Sequence, residues 1–272
     1  MNGKQNKQLT TITDTKNSMT GDMRREKILE MIQEDGHVKV ADLSRIFKVS
    51  EVTIRQDLER LDNEGIVIRE HGGAYLKSIS TQVRSFSLQH RENMDMKVLI
   101  GKKASELIHD GDTVILDSGT TITELAKNLT NRKNLTVITN ALNIAMMLGS
   151  EPSINVIMTG GEFKAPTLSL TGEKAAAFFS NLHVDKLFLA TAGISLKAGL
   201  TYPSISDLVV KKAMIDAADT VYLLADSTKI GKSALASLGA LSLVDYLITD
   251  NGLQDKHRQL FDEHDIEYII AE

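Results

Sequence analysis

The chain has 272 residues, of which 42% are hydrophobic and 25% charged, with a net charge of −5; this describes an ordinary globular protein of about two domains. It contains no cysteine, which excludes disulfides and thiolate zinc sites and suits a reducing cytoplasm. The first twenty residues lack the apolar core of a signal peptide, no apolar run approaches the roughly 18 residues that span a bilayer, and the slight acidity gives no hint of nucleic acid.

Residues 1–21 are polar and rich in Thr, Asn and Lys, which predicts a disordered tail. From Asp22 to Glu34, Ile28, Met31 and Ile32 recur at helical spacing. Gly36 breaks that pattern, and His37 to Val40 alternates like a short strand. A second helix carries Leu43, Ile46 and Phe47, and Lys48-Val49 makes a tight turn. Ser50 then stands where an N-cap is wanted, with Glu51 complementing the dipole of a third helix that runs to about Asn63. Ile54, Leu58 and Leu61 share its inner face, and Gly65 stops it. Ile66 to Ile68 and Ala74 to Leu76, joined by a turn over Glu70 to Gly73, predict a hairpin. Residues 22–76 therefore read as a winged helix-turn-helix.

With Ile54, Leu58 and Leu61 turned inward, Val52, Gln56, Glu59 and Arg60 point away and Thr53 and Arg55 flank them. A helix of this kind places its N-terminal residues against base edges in the major groove. Gln suits adenine, Arg suits guanine, and the methyls of Val can meet that of thymine. Val52, Arg55 and Gln56 are the expected readers, although Arg55 could equally serve a phosphate. Phosphate affinity in an acidic chain comes from local charge, because charges beyond roughly 8–10 Å are screened. Arg24, Arg25, Lys39, Arg45, Lys48, Arg55, Arg60, Arg69 and His71 all fall within this one module. The expected DNA-facing set is Lys48, Ser50, Val52, Thr53, Arg55, Gln56, Arg60, Arg69 and His71.

Residues 77–92 read as a linker. From 93 to 272, a helical pattern over about 93–109 is followed by alternating strands and helices. Strands are predicted at Val114–Leu116, Leu135–Ile138, Ile154–Met158, Lys186–Ala190, Val221–Leu224, Tyr246–Ile248 and Ile266–Ile270. Such alternation implies a mainly parallel sheet covered by helices, hence an α/β domain. The apolar runs end in ILDSGTT, VITN, VIMTGG, FLATAG and LLADSTK. Each strand gives way at its carboxyl end to Asp, Thr, Ser, Asn or Gly, where open parallel sheets bind ligands. Asp117, Ser118, Gly119, Thr120 and Thr121 feed directly into a helix whose N–H groups can hold a phosphate, with Lys229 as counter-charge. Few aromatics (4%) and many hydroxyls favour a sugar phosphate over a flat heterocycle. The seven histidines show no ligand pair at i, i+4, and no Walker loop, nucleophile elbow or dinucleotide fingerprint is present, so neither metal nor cofactor is expected.

VSEVTIRQDLERL, GIVIREHGGA, DGDTVILDSGTT, VITN, TGGE and LLADSTK together resemble the DeoR family of bacterial transcriptional regulators, from about residue 24 to the end. The resemblance implies a winged helix-turn-helix joined to a sensor domain similar to ribose-5-phosphate isomerase and CoA-transferase-like folds. It implies an oligomeric repressor of a sugar-use operon, controlled by a phosphorylated sugar. Position by position it gives Asp117, Gly119, Thr120 and Thr121 for the anion loop. Asn140, Gly160 and Gly161 follow at further strand ends, with Asp226 and Lys229 in the last motif. Two departures stand out: Gln56 replaces the second Arg of the family's TIRRDL, and Asp207 stands where a Glu is usual after GLTYPS.

Two functions follow. One is a cytoplasmic repressor, a homo-oligomer (dimer or tetramer) with an operator duplex and a phosphorylated sugar as partners and with no membrane. The alternative is a sugar-phosphate isomerase with an accessory module, for which Asp117, Asp207 and Asp226 are candidate bases. A DNA-reading head has no use in an isomerase, so a regulator without catalytic activity is expected.

Overall fold

The computed structural model describes residues 19–35, 37–70, 72–76, 90–195 and 197–272. The expected tail up to residue 18, the linker from 77 to 89 and His71 lie outside these.

The N-terminal head contains α1 (Gly21–Asp35), β1 (His37–Lys39), α2 (Val40–Phe47), α3 (Glu51–Asn63), β2 (Val67–Glu70) and β3 (Gly73–Leu76). Ile28, Ile32, Leu43, Ile54 and Leu58 are sealed in its core, each contributing about 1.5–3 kcal/mol of burial. The strand expected from His37 to Val40 stops at Lys39, because Val40 opens α2. It also joins the wing, giving a three-stranded antiparallel sheet of order β1-β3-β2. Between α2 and α3 Lys48 adopts a left-handed conformation (φ 53°), and Ser44 Oγ donates to the Val49 carbonyl at 2.7 Å. Ser50 then caps α3, its hydroxyl accepting from Thr53 N–H at 3.2 Å.

The larger unit comprises α4 (Met94–Ser105), β4 (Thr113–Leu116), α5 (Thr120–Lys127), β5 (Leu135–Thr139), α6 (Leu142–Leu148), β6 (Ile154–Met158), β7 (Glu162–Lys164), β8 (Ser169–Thr171) and α7 (Glu173–Ala177). It continues with β9 (Val184–Ala190), β10 (Gly193–Ser195), β11 (Gly199–Tyr202), α8 (Leu208–Asp216), β12 (Ala218–Leu224), β13 (Ala236–Gly239), β14 (Tyr246–Asp250), α9 (Asp255–Asp262) and β15 (Glu267–Ala271). Seven strands form one parallel sheet of order β15-β14-β12-β9-β4-β5-β6. Side chains alternate between its faces. Val114 and Leu116 of β4 pack with Ile100 of α4, Ile122 and Leu125 of α5 and Ile144 of α6. Ile115 faces the other way, toward the layer holding Phe179, Val210, Met214 and Phe261.

From β4 the chain steps outward through β5 and β6, then returns to lay β9 on the opposite side of β4. The sheet therefore has its topological switch between β4 and β9, and in open α/β sheets the crevice at the carboxyl ends there is where ligands bind. Three short antiparallel strands, β10-β11-β13, and the hairpin β7-β8 surround that crevice. Among the described residues no helix is long and apolar enough to cross a membrane.

Candidate functional site

A cavity of about 340 Å³ opens at the switch point. Ser118, Gly119, Thr120 and Thr121 enter it from the end of β4, Ala190 and Thr191 from the end of β9, and Asp226 and Lys229 from the end of β12. Gly119 has φ +151°, and a Cβ there would stand 2.8 Å from that of Ala190, so only glycine lets the two strand ends approach this closely. The turn releases the chain into α5, whose first N–H groups have no helical partner and are free to hold an anion.

Beneath the loop Asp117 is fully buried. Its Oδ2 accepts a short hydrogen bond from Lys211 Nζ and another from Ala190 N–H at 3.1 Å. Burial pushes the Asp117 carboxyl above its ordinary value, with Lys211 pulling the other way. Lys211 also lies 4.8 Å from the centre of the Tyr202 ring, and the Tyr202 hydroxyl donates to the Ala190 carbonyl at 2.7 Å. Asp207 meets the cavity from the start of α8 and is held by the buried Lys164 at 2.7 Å. Asp226 Oδ1 accepts from Thr228 N–H at 3.1 Å and from Asn93 Nδ2 at 3.3 Å.

Lys97 reaches the wall from α4, one turn before Gly101. A Cβ at Gly101 would stand 2.6 Å from the Glu124 and Leu125 backbone, so glycine lets α4 lie flat on α5. Burial lowers the pKa of the Lys97 ammonium, and the nearby charge of Lys229 lowers it further. Asp226, Glu92 and Glu124 act on Lys97 in the opposite sense, so both charges meet at this part of the wall. Tyr202 is the sole aromatic side chain of the lining, whose remainder is polar or small.

In the head, α3 exposes Val52, Arg55, Gln56, Glu59 and Arg60 on one face, Val52 to 61%. Arg55 holds Glu51 at 2.7 Å across one helical turn, an exposed pair worth about 0.3–0.5 kcal/mol and easily surrendered. Lys48 and Ser50 are exposed at the approach to this face, and Arg69 stands on the wing, 3.8 Å from Glu59.

Residues 24–80 match the model of the DeoR-like helix-turn-helix domain, and residues 92–251 match the DeoR C terminal sensor domain. The chain belongs to the DeoR family. Its DeoR relatives include the transcriptional repressor GlcR of Bacillus subtilis, 34% identical over 90% of this chain and 94% of that protein. They include also the glycerol-3-phosphate regulon repressor of Escherichia coli, 31% identical over 91% of this chain and 98% of its own. Among solved structures, ribose 5-phosphate isomerase A of Methanocaldococcus jannaschii covers 51% of this chain and 55% of its own at 18% identity and a TM-score of 0.38.

Within this DeoR frame the sequence-derived residues divide. Ser118, Gly119, Thr120, Thr121, Asp207, Asp226 and Lys229 all line the cavity, and Asp117 lies directly below it. Asn140, Gly160 and Gly161 do not line it. Asn140 is buried and donates from Nδ2 to the Leu170 carbonyl at 3.1 Å, while Leu170 N–H returns a bond of 2.8 Å to the Asn140 carbonyl. Gly161 approaches Thr171 so closely that a Cβ would stand 2.6 Å from its carbonyl oxygen. These residues fix the β7-β8 hairpin, whose turn carries Thr167 to the cavity. Two cations of the head that the expected DNA-facing set leaves out are spent inside: Arg24 is buried on Asp57 at 2.6 Å, and Arg25 reaches the same carboxylate at 3.2 Å. Lys97, Lys211, Tyr202, Thr191 and Lys232 escaped the sequence reading. Lys211 had a usable signal, since it follows Asp207 by four residues and so shares its helical face. Lys97 had none, being one lysine of several on an ordinary helix far from any strand end.

Proposed function

We propose that this DeoR-family chain is a cytoplasmic repressor of a carbohydrate-utilisation operon, working as a homo-oligomer and controlled by a phosphorylated sugar. The sugar phosphate occupies the cavity at the β4–β9 switch. The observation that carries this reading is the cavity lining itself, which sets Lys97 and Lys229 in one wall with Ser118, Gly119, Thr120 and Thr121 at the start of α5. The phosphate sits on the Thr120 and Thr121 amides between these lysines, and the sugar hydroxyls lie toward Asp207 and Thr191. Val52, Thr53, Arg55 and Gln56 read bases, while Lys48, Ser50, Arg60, Arg69 and His71 position the duplex through phosphates. Effector and operator are coupled by about 1–3 kcal/mol, which changes operator affinity roughly 5–150-fold. The names of GlcR and of the glycerol-3-phosphate regulon repressor support this reading.

A thermal-shift screen of the full chain against sugar phosphates tests it, because a ligand that prefers the folded state raises the midpoint. The expected result is a shift with at least one sugar phosphate and none with its unphosphorylated sugar. Thr120→Asp, which sets a carboxylate against the phosphate, abolishes that shift and leaves operator binding unresponsive. A screen without any shift, or a normal response in Thr120→Asp, sinks the assignment.

A further inference from the structure

Glu30 belongs to the head, on α1, yet it lines the same cavity as Ser118, Thr120 and Lys229. From the other side Leu235, next to the cavity-lining Ser233 and Ala234, packs against the core of the head. The head is seated at the cavity mouth, and part of the cavity wall comes from it. Beside this seat lies a second hollow of about 500 Å³, with Met31, Val38 and Ile46 of the head facing Phe163 and Ile205 of the sensor. Phe163 and Ile205 stay 53% and 51% exposed. A seam this loosely filled is one that can tighten or part.

The carboxylates of the wall are engaged to different degrees. Asp207 is taken by Lys164, and Asp226 by Thr228 and Asn93. Glu92 lies close enough to Lys97 to act on its charge. Glu30 is exposed and makes no ion pair or side-chain hydrogen bond among the described residues. A carboxylate accepts and cannot donate. The cavity wall thus carries lysines, Lys97 and Lys229 among them, and an unengaged acceptor, Glu30, which together complement a ligand that has a phosphate and hydroxyl donors.

We infer that Glu30 is a specificity-determining acceptor for sugar hydroxyls, supplied to the sensor cavity by the DNA-reading head. This rests on the sugar-phosphate reading of the cavity given above. An effector whose phosphate is on the α5 start and whose hydroxyls reach Glu30 bridges the two halves of the chain. It binds the seated head better than the unseated one, so it shifts the head toward the seated placement by the same factor. Fixing the head in that placement takes from an oligomer its freedom to set two reading helices on one operator. Inorganic phosphate occupies the α5 start alone and leaves the head where it was.

Isothermal titration of the full chain with inorganic phosphate, ribose 5-phosphate and glucose 6-phosphate tests this. Glu30→Ala, a surface change that the fold tolerates, weakens the sugar phosphate that binds the wild type by about tenfold, the scale of a hydrogen bond to a charged group. It leaves inorganic phosphate within about twofold, and Glu30→Gln, which keeps one acceptor oxygen, falls between the two. Because the chain has no cysteine, Met23→Cys and Met146→Cys on exposed positions accept spin labels cleanly. Their distance distribution narrows with sugar phosphate in the wild-type background and stays unchanged in Glu30→Ala. Unaltered or tighter sugar-phosphate binding in Glu30→Ala overturns the inference, as does an equal loss of inorganic phosphate. A wild type that binds none of the three compounds removes the cavity reading and this inference with it, whereas wild-type binding with an indifferent Glu30→Ala removes only the inference.

Discussion

Arg24 is buried against Asp57 at 2.6 Å, whereas Arg55 stands half exposed on the outer face of α3, tied to Glu51 at 2.7 Å. Sequence alone counts both among the cations of one module and assigns only Arg55 to DNA, because a charge run does not say which way its members point. Asp57 explains the difference: it lies between Ile54 and Leu58 on the buried side of α3 and so demands cations from α1. Removing one partner of a buried pair strands the other's charge. Asp57 keeps Arg25 at 3.2 Å, so Arg24→Ala should lower the stability of the head by about 1.5–3 kcal/mol in a denaturant titration, the scale of one hydrogen bond to a charged group. Arg55→Ala should leave the melting temperature alone and weaken operator binding by about 1–3 kcal/mol in an anisotropy titration. A second residue-scale effect concerns His90, whose Nε2 meets the buried Glu124 at 2.7 Å. Burial depresses its pKa below the ordinary 6.5, outweighing the pull of Glu124. A depressed folded value means the unfolded chain takes up the proton first, so the stabilisation is present above 6.5 and is lost as pH falls through the folded value. Between pH 7.5 and 5.5 the melting temperature of the wild type should fall more than that of His90→Gln, and parallel curves would refute the assignment.

At the scale of elements, the seven strands of the parallel sheet were legible as largely apolar runs of three to five residues, and their order was not. Nothing in VILD or FLAT says that β4 and β9 are neighbours; that follows from packing after the whole sheet is assembled. The hairpin β7-β8 and the strands β10, β11 and β13 escaped because EFK, SLT, GIS, GLTY and ASLG mix polar residues and glycine and so show no apolar run. The expected helix over 93–109 ends at Ser105, where Lys102 O is claimed by the Ser105 hydroxyl at 2.7 Å and a turn begins. The strand-end loops were readable because Gly and Thr announce a turn, while the lysines that complete the cavity sit on helices that reach it only in three dimensions. Gly101 gives the helix pair α4–α5 its close approach, and Lys97 depends on that approach for its place. Gly101→Val should push α4 away from α5, lower the melting temperature by several degrees and reduce phosphate binding together with it; retention of both would show that α4 is not held by this contact.

For the whole molecule, net charge and DNA affinity are separable because the head's exposed cations are local. Lys39, Arg45, Lys48, Arg55, Arg60 and Arg69 are exposed. Arg24 and Arg25 are spent inside. A head with six such groups should give a plot of log affinity against log salt with a slope no steeper than about −5, and twice that for two heads on one operator. A flat plot would place the recognition surface elsewhere. The arrangement of β4, flanked by β5 from just downstream and by β9 from beyond residue 184, also sets an order of birth. Translation delivers the amino end first. A growing polypeptide thus completes its helix-turn-helix head while one flank of β4 is still bare, and the cavity at the sheet's switch point gains its last wall only after Lys229 has left the ribosome.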